Sequence, residues 1–342
     1  MRLLVCTTQV PFARGGAELL SEGLCAALRE HGHQAEIVAL PASWTPRPNL
    51  ITSALAWRLL DLTQVDGRPV DAIIATKFPS YAARHPRKIV WLVHQHRQAY
   101  DWYGTTLSDW GAQPGDAELR RVLQRLDRRT LGEARRLFAI SRNVAARLKR
   151  FNGLQATPLY PPSPLMPRLQ PGPSEPYILS IARLDRAKRI DLLLRALAES
   201  RSELRAIIAG RGPALAELQQ LTRRLGLTQR VRFAGFVDDA TAVDLFARCR
   251  AVYYAPVDED YGFATIEAFA AGKPVLTTSD AGGVLEFVRH DESGLIAAPT
   301  PGALAEQLER LADPALACRL GQDNPTRVAH IRWERVVATL LS

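Results

Sequence analysis

The stretch Asp258-Glu259-Asp260-Tyr261-Gly262-Phe263-Ala264-Thr265-Ile266-Glu267 lies between a predicted strand and a predicted helix. The apolar run 251–257 predicts a buried parallel strand. A helix is expected from about Phe263, with Gly272 as its stop and Pro274 opening the next strand. A polar loop therefore joins a strand end to a helix start, as in the repeating unit of a doubly wound α/β fold.

The residues of this loop favour a ligand that carries both phosphate and sugar. The first backbone N–H groups of a helix lack intrahelical partners, and the helix dipole favours an anion beside them. Here those groups belong to Gly262, Phe263 and Ala264. Glu267, about one turn into the helix, is placed to bind a ribose diol or a sugar hydroxyl, and Glu259 stands on the loop itself.

The stretch resembles the E-x7-E signature of glycosyltransferase family 4, whose members are retaining enzymes of the GT-B fold. The Glu-Asp-Tyr-Gly-Phe at 259–263 and the Glu-Ala-Phe-Ala-Ala-Gly-Lys-Pro-Val at 267–275 carry the resemblance. It implies an α/β protein with two doubly wound, Rossmann-like domains facing a cleft. It also implies a C-terminal helix that crosses back to the first domain.

Composition is compatible with two ordinary domains. The chain has 342 residues, of which 47% are hydrophobic. No apolar run approaches the roughly 20 residues of a membrane span, and residues 1–8 predict a first strand rather than a signal peptide. The cysteines are scattered without a C-x-x-C pair, so neither a metal site nor a disulfide framework is indicated. We expect a cytoplasmic protein.

The positive charge is concentrated in the first half of the chain. Residues 1–170 contain 23 Lys and Arg against 13 Asp and Glu, whereas the remainder is nearly neutral. Eleven of the basic residues lie within 116–150, a helical stretch with few aromatic residues, which argues against a base-stacking platform for nucleic acid. Two interpretations stay open for this stretch: a solvated helix face, or a surface for anionic lipid headgroups on the inner face of the membrane.

The first domain offers two candidate sites at strand ends. Gly15 and Gly16 follow the first strand and precede a helix, although they also suit a simple turn. His94 follows the apolar strand 89–93 and, from the residues alone, is equally well a structural histidine. The family resemblance implies that the glycine pair faces the donor and that His94 contacts the donor sugar. His96 would then be a neighbour or an acceptor contact.

A proline-rich linker separates the predicted domains. Residues 157–176 contain eight prolines. We predict an acceptor-binding domain at 1–168, joined by a returning helix at about 326–342, and a nucleotide-sugar-binding domain at 169–325. Strands of the second domain are predicted at 177–181, 205–209, 231–234 and 275–278, with helices at 190–198 and 239–249.

In the second domain the resemblance implies several further roles. Ala182-Arg183-Leu184 and the following loop resemble the family's Gly-Arg-Leu…Lys-Gly segment, so Arg183 and Lys188 match its pyrophosphate-binding pair. Arg189 stands where glycine is frequent in the family. Glu259 would hold donor-sugar hydroxyls, and Glu267 the ribose diol. The loops expected to flank the nucleobase contain Gly212, Phe236 and Val237.

The resemblance implies a retaining glycosyltransferase. It would move a sugar from a nucleotide-diphosphate sugar, such as a UDP-sugar or GDP-mannose, to a hydroxyl of a sugar or lipid-linked acceptor in polysaccharide, glycolipid or related biosynthesis. We expect no cofactor and no metal, although 258–260 imitates a D-x-D motif. Two alternatives stay open: a non-hydrolysing nucleotide-sugar epimerase on the same fold, and a protein whose basic half binds membrane or RNA and whose sugar site is degenerate.

Overall fold

The computed structural model of the chain describes residues 1–11 and 15–342. The chain divides into two compact units: an N-terminal unit of residues 1–162 with 331–342, and a C-terminal unit of residues 163–330. The division therefore falls a few residues before the predicted boundary at 168. The returning segment begins at Ile331 rather than near residue 326.

The N-terminal unit is built on a parallel sheet with strand order β2-β1-β5-β6-β7-β8. Its central strands are short runs of apolar residues buried on both faces, as expected for a parallel sheet covered by helices. A small antiparallel hairpin, β3-β4, lies outside this sheet. The strands are β1 (Arg2–Gln9), β2 (Gln34–Pro41), β3 (Gln64–Val65), β4 (Arg68–Pro69), β5 (Ala72–Ala75), β6 (Lys88–Leu92), β7 (Arg136–Ala139) and β8 (Thr157–Pro158).

Helices cover this sheet, and the last helix of the chain is one of them. They are α1 (Gly16–Glu30), α2 (Asn49–Leu59), α3 (Asp116–Gly132), α4 (Arg142–Asn152) and α12 (Trp333–Leu341). The indole of Trp333 packs on Gly23 of α1 and lies edge-on to Trp91 of β6, at 6.2 Å between ring centroids. The predicted returning helix is thus confirmed as part of the N-terminal unit.

The C-terminal unit contains a second parallel sheet, with strand order β11-β10-β9-β12-β13-β14. This is the order in which a doubly wound fold reverses direction between its first and fourth strands, here β9 and β12. Such folds bind ligands beyond the carboxyl ends of those two strands. The strands are β9 (Tyr177–Ile181), β10 (Arg205–Ala209), β11 (Val231–Gly235), β12 (Ala251–Tyr253), β13 (Val275–Thr278) and β14 (Gly294–Ala297).

Helix α5 (Ile190–Glu199) shows why this unit folds as predicted. Leu193, Leu194 and Leu197 are fully buried in the core against the sheet, so its apolar face supplies much of the driving force for packing. The other helices are α6 (Leu215–Arg224), α7 (Asp239–Arg248), α8 (Phe263–Ala270), α9 (Pro301–Leu311), α10 (Pro314–Gly321) and α11 (Asn324–Val328).

Three predicted elements are shorter in the structure. β12 ends at Tyr253 rather than at residue 257; further on, Pro256 has no amide to donate, and the Val257 amide donates to Ala187 O instead. The residues 50–63 predict one helix, but α2 ends at Leu59, and beyond it Asp61 accepts hydrogen bonds from Thr63. The residues 279–286 predict the start of a helix, but the structure has only a 3-10 turn there, Gly283–Glu286.

Candidate functional site

The switch point of the C-terminal sheet brings together a cation and an anion predicted from the sequence. Lys188 lies in the loop after β9, and Glu259 lies in the loop after β12. Lys188 Nζ donates to Glu259 Oε2 at 2.5 Å, and each side chain is only 17% exposed. The two loops therefore present a tightly held ion pair where this fold class binds ligands.

The surroundings of Lys188 keep it protonated. Burial alone would lower its pKa, but the charge of Glu259 and the hydrogen bonds to Glu259 and Tyr254 raise the pKa above its ordinary value. Lys188 Nζ donates to the Tyr254 hydroxyl at 3.2 Å and lies 5.4 Å from the centre of that ring. Lys188 is thus a fixed positive charge in a largely dry setting, where electrostatic attraction is stronger than in water.

Arg183, the other predicted diphosphate ligand, has a different environment. Its side chain is 66% exposed, and its guanidinium is 4.0 Å from Asp185. The structure therefore separates the predicted pair into an enclosed lysine and a solvated arginine. An arginine this exposed contributes little to stability through a surface ion pair. Folding stability therefore does not explain why an arginine stands at this position.

The backbone of the 258–267 stretch is held closely by its neighbours. The Asp258 amide donates to Asp280 O at 2.9 Å, and the Glu259 amide donates to Ala281 O at 3.1 Å. Gly262 has φ of +86°, and a Cβ there would lie 2.5 Å from the Tyr254 ring. Only glycine fits this position, so the loop geometry is fixed before any ligand arrives.

The start of α8 meets the expectation of an anion-favouring helix end. Gly262 is its N-cap residue, and among the described residues no side chain caps it. Phe263 and Ala264 follow as the first two helical residues, whose amides have no intrahelical acceptor. Backbone N–H groups and a positive dipole end therefore stand next to the loop that carries Glu259.

Glu267 lies inside α8 and is nearly enclosed. Its side chain is 9% exposed, and Oε1 accepts a hydrogen bond of 2.5 Å from the Ser163 hydroxyl. Burial raises the pKa of Glu267 to about 7, despite the opposing effect of that hydrogen bond. The carboxyl group can therefore change protonation near neutral pH.

The loops predicted to flank a nucleobase are shaped by close packing. A Cβ at Gly212 would lie 2.2 Å from Leu184 O, so this loop touches the backbone of the β9–α5 loop. Gly212 thus has a structural reason to be glycine. Phe236 is 69% exposed with the Arg211 guanidinium 5.8 Å from its ring centre, and Val237 beside it is half-buried.

In the N-terminal unit, the predicted glycine pair begins α1. The amide of Gly15 donates to Glu18 Oε2 at 2.9 Å, so it is already bonded within the helix start, and Gly16 is the first helical residue. Glu18 Oε1 in turn accepts from Lys77 Nζ at 2.5 Å. Lys77 follows β5, and Glu18 with Lys77 forms an ion pair that sequence reasoning missed.

His94 follows β6, as predicted, and the next residue, Gln95, is fully buried. The His94 Nδ1–H donates to Gln95 O at 2.7 Å. The Gln95 side chain donates to Asn152 at 3.0 Å, Asn152 donates to Tyr100 at 3.2 Å, and Tyr100 donates to Asp127 at 2.6 Å. Burial raises the pKa of Asp127 to about 7.

His96 lies in an aromatic cluster beyond the same strand. Its ring centre is 5.5 Å from Trp44, 5.9 Å from Phe78 and 5.6 Å from Trp110. Burial lowers the pKa of His96 to about 4. The imidazole therefore stays neutral at physiological pH and presents an aromatic surface rather than a charge.

The remaining findings concern metals and membranes. Within residues 1–11 and 15–342, no group of His, Cys, Asp and Glu has the arrangement of a metal site. In the same described parts of the chain, none of the helices combines the length and apolar character needed to cross a membrane.

Comparison with known proteins agrees with this fold. Residues 165–324 match the family described as glycosyl transferases group 1. Sucrose-phosphate synthase from Thermosynechococcus elongatus has a TM-score of 0.78 at 20% identity, over 99% of this chain and 97% of that one. HepE of Anabaena, in complex with UDP and glucose, has a TM-score of 0.73 at 19% identity, with full coverage of both chains (100% and 100%). The predicted GT-B fold is confirmed.

Similarity in sequence is confined to part of each relative. The N-acetylgalactosamine-N,N'-diacetylbacillosaminyl-diphospho-undecaprenol 4-alpha-N-acetylgalactosaminyltransferase of Campylobacter jejuni is 34% identical over 120 residues, which are 35% of this chain and 32% of that protein. Across the curated relatives, the matches span between 32% and 42% of their length. The matches support a glycosyltransferase of group 1 type.

Proposed function

We propose that the protein is a retaining glycosyltransferase of family 4, which transfers a sugar from a nucleotide-diphosphate sugar to an acceptor hydroxyl. The observation that carries the proposal is the Lys188–Glu259 pair at the switch point of the C-terminal sheet. A fixed cation next to the start of α8 suits a diphosphate, and the carboxylate beside it suits sugar hydroxyls.

The donor would be held through its three parts. Lys188 and Arg183 bind the diphosphate, with the amides of Gly262, Phe263 and Ala264 at the helix start. Glu267 binds the ribose diol, because a buried carboxyl with a raised pKa gains stability from hydroxyl donors. The base lies between the loops that contain Gly212, Phe236 and Val237, where the exposed Phe236 ring offers a stacking surface.

The reaction breaks the bond between the anomeric carbon and the diphosphate oxygen and forms a bond to the acceptor oxygen on the same face of the sugar. The acceptor proton passes to the leaving diphosphate. Lys188 and Arg183 stabilise the negative charge that develops there. Glu259 positions the donor sugar, His94 contacts it near the reacting carbon, and Gly15 and Gly16 allow the donor to approach the start of α1. No cofactor or metal takes part in this scheme.

For the donor nucleotide, a UDP-sugar is the first candidate, because HepE of Anabaena is described in complex with UDP and with UDP-glucose. GDP-mannose is the second. For the acceptor, the name of the Campylobacter relative contains a sugar on diphospho-undecaprenol, which supports a lipid-linked sugar.

A lipid-linked acceptor would place the enzyme at an anionic membrane surface. Most of the basic residues of 116–150 have exposed side chains on α3 and α4 or between them. Each such residue near an anionic surface is worth about 1 kcal/mol. We therefore propose peripheral attachment through this basic face. Its exposed residues are Arg121, Arg125, Arg128, Arg129, Arg135, Arg142, Lys149 and Arg150.

The first test of the function is a thermal-shift screen against UDP-, GDP-, ADP- and dTDP-sugars, since a ligand that binds the folded protein raises its apparent stability. We expect one nucleotide class to raise the melting temperature and Lys188→Ala to abolish that rise. The conversion of the bound donor without any acceptor would instead identify an epimerase.

Steady-state kinetics with the selected donor provide the second test. Arg183→Ala and Lys188→Ala should each lower kcat by about 10²-fold to 10³-fold, the usual effect of losing a donor that stabilises developing charge. Arg186→Ala is the control. Its side chain is exposed, and its guanidinium lies 3.7 Å from Glu217. Normal kcat in both site variants, with the fold intact by circular dichroism, would contradict the proposal.

A further inference from the structure

Arg189 adopts a backbone conformation that arginine ordinarily avoids. It follows Lys188 directly and has φ of +49° and ψ of +43°, in the left-handed region. That conformation is unfavourable for a residue with a Cβ, whereas glycine adopts it readily. The chain nevertheless places arginine here, so its side chain must make contacts that offset the cost.

The guanidinium of Arg189 makes those contacts with the loops after two other strands. In the loop after β12, Ala255 O accepts at 2.8 Å and Pro256 O at 3.0 Å. At the end of β13, Thr278 Oγ1 accepts at 2.7 Å, and the carboxylate of Asp280 accepts from two nitrogens at 2.8 and 2.9 Å. The Arg189 side chain is only 14% exposed, whereas its carboxylate partner Asp280 is 42% exposed.

Backbone hydrogen bonds also connect the loop that contains Lys188 and Arg189 to the loop that contains Glu259. The Val257 amide donates to Ala187 O at 2.9 Å, which ties the loop of Lys188 to the loop of Glu259. The Tyr253 hydroxyl donates to Arg189 O at 2.8 Å. Asp280, bound by the guanidinium, accepts the Asp258 amide through its own carbonyl. Three loops at one edge of the sheet therefore share Arg189 as a common partner.

We propose that Arg189 is a positioning residue that sets the distance between Lys188 and Glu259. It acts through the backbone of their two loops and touches neither the donor nor the reacting atoms. Lysine could not replace it, because an ammonium group lacks the planar set of donors that reaches several acceptors at once. The expected effect on kcat rests on the proposed function, whereas the expected effect on the distance between Lys188 and Glu259 does not.

The test compares Arg189→Gly with Arg230→Ala. Glycine removes the guanidinium and relieves the backbone, so strain introduced by the substitution cannot explain a loss. Arg230 is a matched control because its guanidinium also binds several carbonyl groups in the same unit, at the opposite edge of the sheet. Its acceptors are Leu197 O at 3.1 Å, Ser202 O at 2.7 Å and Leu204 O at 3.0 Å.

The first measurement is independent of activity. Trace acetylation of the full chain at pH 8, followed by mass spectrometry, reports how fast each lysine amine reacts, with the exposed Lys149 as internal reference. In Arg189→Gly we expect the rate at Lys188 to rise about tenfold, the change that one pKa unit produces in the reactive amine. Arg230→Ala should leave that rate unchanged. An unchanged rate in Arg189→Gly would overturn the inference.

The second measurement is kinetic. Arg189→Gly and Arg189→Lys should lower kcat by about 10²-fold, as expected when catalytic groups move by about 1 Å, with a smaller change in donor KM. Added guanidinium should restore part of the activity of Arg189→Gly. Arg230→Ala should lose stability but keep kcat. If Arg189→Gly also kept kcat, the positioning role would be excluded, whereas inactivity of the wild type with every donor would refute only the proposed function.

Discussion

Replacing Glu267 with glutamine should change how the stability of the C-terminal unit depends on pH. Burial raises the pKa of Glu267 from 4.5 to about 7 in the folded protein. Between these values the folded state binds a proton that the unfolded state has released, so stability falls as pH rises. The full effect is about 3 kcal/mol, at about 1.4 kcal/mol per pKa unit. Glutamine keeps the shape and accepts the Ser163 hydrogen bond without titrating.

The measurement is urea denaturation of both proteins at pH 5 and pH 8. Between these two pH values, the free energy of unfolding of the wild type should fall by about 2–3 kcal/mol relative to Glu267→Gln. All six tryptophans lie in the N-terminal unit, at positions 44, 57, 91, 102, 110 and 333. Tryptophan fluorescence therefore reports the unfolding of the N-terminal unit. Far-ultraviolet circular dichroism also reports the unfolding of the C-terminal unit.

The N-terminal unit supplies an internal control. Burial also raises the pKa of Asp127 to about 7, but this residue is the same in both proteins. The transition seen by fluorescence should therefore show the same pH dependence in wild type and variant. A constant difference between the two proteins from pH 5 to pH 8 would mean that Glu267 titrates normally, and the enclosed carboxyl described above would be refuted.

Four further predictions follow from other parts of the structure. Activity should persist in excess chelator, because Lys188 and the start of α8 supply the positive charge for a diphosphate; complete loss restored by manganese would contradict this. Binding to anionic vesicles should exceed binding to neutral ones and weaken with salt, as measured by sedimentation. Gly212→Ala should destabilise the C-terminal unit by about 1–3 kcal/mol, because its Cβ would meet Leu184 O. Trp333→Ala should cost the N-terminal unit about 2 kcal/mol in urea denaturation, below the range for a fully buried aromatic residue; equal midpoints would show that α12 packs loosely.

The sequence predicted several elements of the C-terminal unit to within one residue. Strands β9, β10 and β13 have the predicted bounds, and α5 and α7 differ by one residue at one end. Buried parallel strands are short apolar runs, and here glycine, proline and polar loops mark their ends clearly. In the N-terminal unit, Ser141 precedes α4 as an ordinary N-cap serine, and its hydroxyl accepts from the Val144 amide at 3.0 Å.

The sequence could not predict which residues contact the site residues. Ser163 stands 104 positions from Glu267 along the chain, and no pattern links a serine in a proline-rich linker to a helix carboxylate. Tyr254 completes the surroundings of Lys188 from the loop after β12. For Arg189 the sequence contained one signal: it is an arginine at a position where glycine is frequent in the resembled family. The signal did not reveal which acceptors the side chain would find, because these depend on how three loops meet in space.

The position of α12 affects how the protein folds during synthesis. Val336, Val337 and Leu340 are buried in a unit whose other residues end at 162, so residues 163–330 are made in between. At about 5–20 residues per second, ribosomes need roughly 10–30 s for that interval. The C-terminal unit is contiguous and can close its own core during this time, whereas the apolar surface beside α1 stays bare. We therefore expect the unit that begins the chain to complete its folding last, and its uncovered surface to be where chaperones bind the nascent protein.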